Sequence, residues 1–145
     1  MGDQVITQPG DDDLERLAEQ VVRVGQLAAE HLDADLTDDD SDLDVVQELL
    51  DLGAVPPDAT YDLQCLGIVF GMRVVEAMDG VDWAIVEDEF GRDPALRYLD
   101  TSLLVFPLTM IAKRVEDGED VDVRDLFTHL LADLEQLKRK VARPS

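Results

Sequence analysis

The chain has 145 residues, 46% of them hydrophobic, enough for one domain with a proper core and no need of disulfides or a structural metal. Its 34 Asp and Glu against 12 Lys and Arg leave a formal net charge of -22, which argues against nucleic acid and anionic membrane surfaces as partners, because both are met through Lys and Arg. A single cysteine, Cys65, excludes an intramolecular disulfide and a Cys-rich zinc site, and no apolar stretch approaches the roughly 20 residues of a membrane helix.

The opening Met1-Gly2-Asp3-Gln4 is not a positively charged leader and no apolar block follows it, so the expected location is the cytoplasm. The acidity itself has two readings. One is a partner with a basic face, or mimicry of a nucleic-acid backbone. The other is a solvated surface in a salt-adapted or high-GC organism, which the excess of Asp over Glu (24 to 10) and of Arg over Lys (9 to 3) suits.

Residues 1–10 are expected to be a disordered tail and 11–141 a single domain. From Asp11 the apolar residues Leu14, Leu17, Val21, Val24 and Ala28 recur at three- and four-residue steps, which predicts a core-facing helix. Asp11, Asp12 and Asp13 suit its positive end. The stripe is heptad-like but too short for a coiled coil; with the last helix it leaves a monomer or a weak homodimer as the expected states. Asp33–Asp40 is an acidic linker. Ser41, with Asp44 three residues on, predicts the start of a second helix, whose Leu43, Val46, Leu49 and Leu50 turn inward and which Gly53 ends. Pro56-Pro57 then imposes an extended turn.

The third helix, about 59–79, has only Gln64, Arg73 and Glu76 as polar residues between Leu63 and Met78, so it must be buried on all sides and central. Gly67 and Gly71 leave one strip of it bare for close packing. Arg73 and Glu76 are spaced to pair with each other, and Cys65 reads as a small buried hydrophobe. After Asp79-Gly80 the period changes. Trp83–Glu89 and Thr101–Phe106 read as strands, with Ala95–Leu99 as a short middle strand and Leu103–Phe106 apolar on both faces. Pro107 opens a helix to Glu116, closed by Asp117-Gly118. The final helix, about 122–141, aligns Val123, Leu126, Phe127, Leu130, Leu134, Leu137 and Val141. The expected fold class is α+β, mainly helical: about five helices and a small antiparallel hairpin or three-stranded sheet packed on the buried central helix.

Opposite charges meet at one turn along Trp83–Arg97, where an apolar run ends in Glu87, Asp88 and Glu89 and a Gly turn leads to Arg92 and Arg97. Strand alternation puts Glu87 and Glu89 on one side and Asp88 on the other, so the three do not converge. No Asp-x-Asp-x-Asp-Gly loop is present for calcium. The arginines can neutralise these acids or clamp a carboxylate or phosphate. Lys113 and Arg114, on the following helix, are placed to join them. Trp83 is either core or a partner-facing anchor. The candidate surface is therefore Trp83, Glu87, Asp88, Glu89, Arg92, Arg97, Lys113 and Arg114.

His31 and His129 have no metal-ligand spacing, and neither a nucleophile elbow nor a Gly-rich phosphate loop occurs, so no catalytic residue, metal or cofactor is expected. The leading function is a non-catalytic interaction domain that offers its acidic surface to a basic protein partner. The alternative is a small-ligand-binding protein or an enzyme using Glu87-Asp88-Glu89 with Arg92 and Arg97.

Several blocks carry a resemblance: Leu63-Gln-Cys-Leu-Gly67, Phe70-Gly71, Trp83, Val86-Glu-Asp-Glu-Phe-Gly-Arg-Asp-Pro-Ala-Leu-Arg97, Phe106-Pro-Leu-Thr-Met-Ile-Ala-Lys-Arg114 and Gly118-Glu-Asp-Val-Asp-Val123. In this order they resemble a bacterial family of small cytoplasmic domains of unknown function. That family is marked by a Leu-Gln-x-Leu-Gly helix, a Trp-x-x-Val-Glu-Asp-Glu-Phe-Gly-Arg-Asp hairpin and a Phe-Pro-x-x-Met-Ile-x-Lys-Arg helix start. The similarity runs from about Leu43 to Phe127. It implies a stand-alone cytoplasmic bacterial protein and assigns no catalytic residue.

Overall fold

The computed structural model describes residues 5–89, 91–99, 101 and 104–142, the last two through their backbone alone. In chain order the elements are β1 (Val5–Thr7), α1 (Asp11–Leu32), α2 (Ser41–Asp51), α3 (Thr60–Ala77), β2 (Val81–Asp88), β3 (Gly91–Tyr98), β4 (Leu104–Val105), α4 (Pro107–Glu116) and α5 (Val123–Ala142). The fold is α+β and mainly helical. The strands form one antiparallel sheet in the order β1-β2-β3-β4.

The apolar α3 is central, as its composition requires. Leu63, Cys65, Leu66, Ile68, Phe70 and Val74 are fully buried, and α1, α2, α4, α5 and β2 all pack on it. Phe70 meets Phe127 of α5 edge-on, ring centroids 5.8 Å apart. Gly67 and Gly71 are where neighbours come closest. A Cβ at Gly67 would lie 2.3 Å from the Pro107 carbonyl oxygen, and one at Gly71 would lie 2.7 Å from the Trp83 ring. The first turn of α4 and the indole of β2 therefore rest directly on the α3 backbone. Leu17, Ile68 and Leu108 form a small apolar cluster beside the main core.

The sheet differs from expectation in three places. Residues 5–7, expected to lie in a tail, pair with β2 in the register Ile6 to Val86. They are β-forming residues whose pairing covers one edge of β2, a long-range effect that local patterning does not display. Second, β3 is a full strand of eight residues starting at Gly91, rather than a short one at 95–99. Asp93-Pro94 reads as a turn in sequence, yet Pro94 sits in the strand opposite Ile85. Its missing N–H does no harm because β4 pairs only with Leu96 and Arg97. Third, of the expected strand 101–106 the described residues form a strand only at Leu104–Val105, both half-buried. Leu103 and the side chain of Val141 lie outside the described residues.

The helix caps also depart from the sequence reading. Ser41 is the first residue of α2 rather than its cap. The turn before α2 is organised by the buried carboxylate of Asp42, which accepts the amides of Thr37 (2.8 Å) and Asp38 (3.0 Å). Arg73 does not pair with Glu76. It is 4% exposed and donates instead to Asp38 in the α1–α2 linker, at 2.5 Å, with its Nε left without an acceptor among the described residues. A second clamp, Arg23 to Asp62 (2.8 and 3.1 Å), joins α1 to α3. On α1, Leu17, Val24 and Ala28 are buried as the stripe predicts, whereas Val21 is half-buried and Leu14 is 50% exposed.

Candidate functional site

The sequence cluster divides among three places. Glu87 and Arg92 are directly opposite in the hairpin, their charged groups 3.7 Å apart. Arg92 reaches past Glu87 to α1, where it donates to Asp13 at 2.5 Å. Asp88 and Glu89 are exposed at the hairpin tip. Trp83 and Arg97 face another hollow, shared with Thr7, Pro9 and Leu14. There Arg97 donates to the Thr101 carbonyl (2.7 Å), and the indole N–H of Trp83 is buried with no acceptor among the described residues. Lys113 and Arg114 are exposed on the last turn of α4. Arg114 donates to the carbonyl of Met110 in its own helix, and neither cation forms an ion pair among the described residues.

Arg92 thus belongs to a cleft built from α1, α3, the hairpin and α4. Its volume is about 260 Å³. Leu17, Ile85, Pro94 and Leu108 supply apolar walls, and Asp13, Arg16, Gln20, Tyr61, Gln64, Arg92 and Asp93 supply polar groups. Asp13 is buried in the first turn of α1. The Gly10 amide at 2.9 Å, and less strongly Arg92, hold its carboxyl below the ordinary carboxylate range, against the desolvation that raises it. Held ionised, Asp13 is poorly suited to give up a proton near neutral pH. Cys65, next to Gln64, is buried, and desolvation pushes its thiol up, the opposite of an activated nucleophile. The arrangement is suited to binding.

Sequence reasoning did not single out Asp13, Arg16, Gln20, Tyr61 or Gln64 as site residues. One signal for Gln20 was present: it lies three residues after Leu17 and four before Val24, on the face of α1 that turns to the core. A polar residue on a buried stripe marks a place where the core is interrupted.

A second region gathers around α2. No Lys or Arg occurs between Arg23 and Arg73, while Asp33, Asp35, Asp38, Asp39, Asp40, Asp44, Glu48, Asp51 and Asp58 are all exposed. The α4–α5 loop adds Glu119, Asp120 and Asp122 to this face. Gln47 fixes it there: its amide donates to the Val121 carbonyl (2.9 Å) and its oxygen accepts the Val123 amide (2.7 Å). Beside the Arg73–Asp38 pair, Arg124 supplies a counter-charge, forked onto Asp44 at 2.8 and 2.9 Å, and it holds the Asp44 carboxyl below its usual range. Between the two segments lies a hollow of about 350 Å³, with Leu50, Val55, Pro56, Val115 and Val121 in its walls and Asp51, Glu119 and Asp120 at its rim.

Among the described residues no group of three or more His, Cys, Asp or Glu is disposed to hold a metal ion, and no helix is long and apolar enough to cross a membrane. With this geometry in hand, comparison decides the family. The profile of a domain of unknown function, DUF3806, matches residues 42–127. The chain belongs to the DUF3806 family. The DUF3806 match spans α2 to the first part of α5 and so contains the hairpin and the α3 wall of the cleft, but not α1 with Asp13, Arg16 and Gln20. A crystal structure of a protein from Bacteroides thetaiotaomicron VPI-5482 shares the fold, with a TM-score of 0.80 at 16% sequence identity. The alignment covers 88% of this chain and 47% of that one, so this chain spans about half the length of its structural relative. No curated protein sequence matches the chain.

Proposed function

We propose that this DUF3806 protein is a non-catalytic interaction domain whose acidic face, formed by α2 and its flanking loops, docks a basic segment of a protein partner. The observation that carries this reading is the joining of two cation-poor segments around one apolar hollow. Leu50, Val55 and Val121 can receive an apolar side chain, and the carboxylates of Asp51, Glu119 and Asp120 stand where flanking Lys or Arg residues would meet them. Leu52, 62% exposed at the end of α2, extends the apolar surface. A partner segment alternating basic and apolar residues complements this pattern.

The test uses a synthetic Lys/Leu-alternating peptide and calorimetric titration of the whole chain. Binding should weaken steeply with added salt, because exposed charges are screened beyond about 10 Å at 0.1 M. It should be lost in the double variant Asp51→Lys/Asp120→Lys and kept in the control Glu15→Lys/Asp133→Lys. Equal loss in both variants would mean that net charge alone attracts the peptide, and the docking face would be abandoned.

A further inference from the structure

We infer that the cleft between α1, α3 and the hairpin is a binding site for a free α-amino acid with an apolar side chain. Gln20 is the first ground. It is 7% exposed and lines the cleft, yet its amide makes no hydrogen bond to any described residue. With the rest of its side chain covered, the Gln20 amide opens into the cleft, where a ligand can take its hydrogen bonds in place of water. Gln64 faces the same space from α3, also without a hydrogen bond among the described residues.

The second ground is the charge that remains after pairing. Asp13 and Arg92 neutralise each other. What is left at the cleft is one cation, Arg16, and one anion, Asp93, neither in an ion pair among the described residues. A purely anionic ligand would find Asp93 opposed to it, and a purely cationic one would find Arg16. A zwitterion satisfies both: its carboxylate takes the Arg16 guanidinium, its ammonium takes Asp93, and the two glutamine amides complete their hydrogen bonds. Leu17, Leu108 and Pro94 offer an apolar wall to the side chain. The volume, about 260 Å³, is of amino-acid size and small for a nucleotide or a peptide.

L-Leucine, isoamylamine (leucine without its carboxylate) and isocaproate (leucine without its ammonium) test the charge argument directly. Binding is followed through the side-chain amide resonances of Gln20 and Gln64. Leucine should bind about tenfold more tightly than either analogue, the value of one charged hydrogen bond. Arg16→Gln should bring leucine down to the level of isoamylamine, and Asp93→Asn to that of isocaproate. Gln20→Met should weaken leucine binding by a similar factor without lowering the thermal midpoint, a combination that a merely structural residue would not give. Isocaproate or isoamylamine binding as tightly as leucine would overturn the zwitterion assignment. Unmoved Gln20 and Gln64 resonances with all three compounds would overturn the site.

Discussion

At the N-terminal end of α1, Asp13 meets Arg92, and Arg92 also faces Glu87. At its C-terminal end the chain runs into a stretch of aspartates with no Lys or Arg from residue 24 to residue 72. From Gln20 to Asp33 the two regions are separated by roughly 20 Å at the 1.5 Å rise of a helix. The difference follows burial. Asp13 is buried in the first turn of α1, and a buried charge needs a counter-charge, which Arg92 of the hairpin supplies. Around α2 most carboxylates remain hydrated, and about half are also held by the fold. Asp42, Asp38 and Asp39 brace the α1–α2 linker, Asp44 is forked by Arg124, and Asp51 accepts from Gln47. Acidic residues that organise backbone can thus be separated from those that only face water, and the second group is the one free to meet a partner.

Four variants put this contrast to work. The largest effect belongs to the helix both regions share. Gly67→Val drives a side chain into the Pro107 carbonyl, and chemical denaturation should register a loss of about 3 kcal/mol. A tolerated valine would show that α4 can move away from α3. Next is Asp38→Ala. The carboxylate is 87% exposed, but its removal leaves the buried Arg73 guanidinium without its ion-pair partner. A loss of about 2 kcal/mol is expected, discounted from the fully buried case because Asp38 is hydrated. A neutral result would place Asp38 with the purely solvated acids.

Asp13→Asn sharpens the contrast through pH. The carboxyl is held below its unfolded value near 3.8, so its stabilisation is present above that pH and disappears as pH falls through the lower folded value. The difference in thermal midpoint between the native chain and Asp13→Asn should be constant near neutrality and close below about pH 4. A difference that persists in acid would assign the effect to shape rather than charge. The smallest effect is expected from neutralising solvated acids. The triple variant Asp35→Asn/Asp58→Asn/Asp120→Asn should stay within about 0.5 kcal/mol of the native chain in denaturant titration.

Much of the helical frame was legible in the sequence because apolar periodicity reports burial directly. The all-apolar run of α3 identified the centre, and the bare strip at Gly67 and Gly71 identified the contact with a close neighbour. The sheet was harder. Val5–Thr7 acquires structure only by pairing with residues about eighty positions away, and Pro94 gives a turn signal that the shortness of β4 makes harmless. The charged cluster was legible as composition but not as geometry. Glu87 and Arg92 are opposed by register, yet the reach of Arg92 to Asp13 depends on where the tertiary fold brings the first turn of α1. Gln20 was hidden for the opposite reason: one polar residue in an amphipathic stripe is readily taken for part of the wet face.

The seat of α4 on α3 has a further consequence. Because Pro107 and Leu108 contact the backbone at Gly67, no side chain intervenes to set the spacing between these helices there. Leu108, in the wall of the cleft, and Gln64, one turn before Gly67, are thereby held in a relation fixed by main-chain geometry. Mutational drift among the bulky residues around Phe70 can then alter the volume of the large core while the mouth of the cleft keeps its dimensions. A lineage that retained the two bare positions would be free to exchange much of its interior without losing the shape of the cleft.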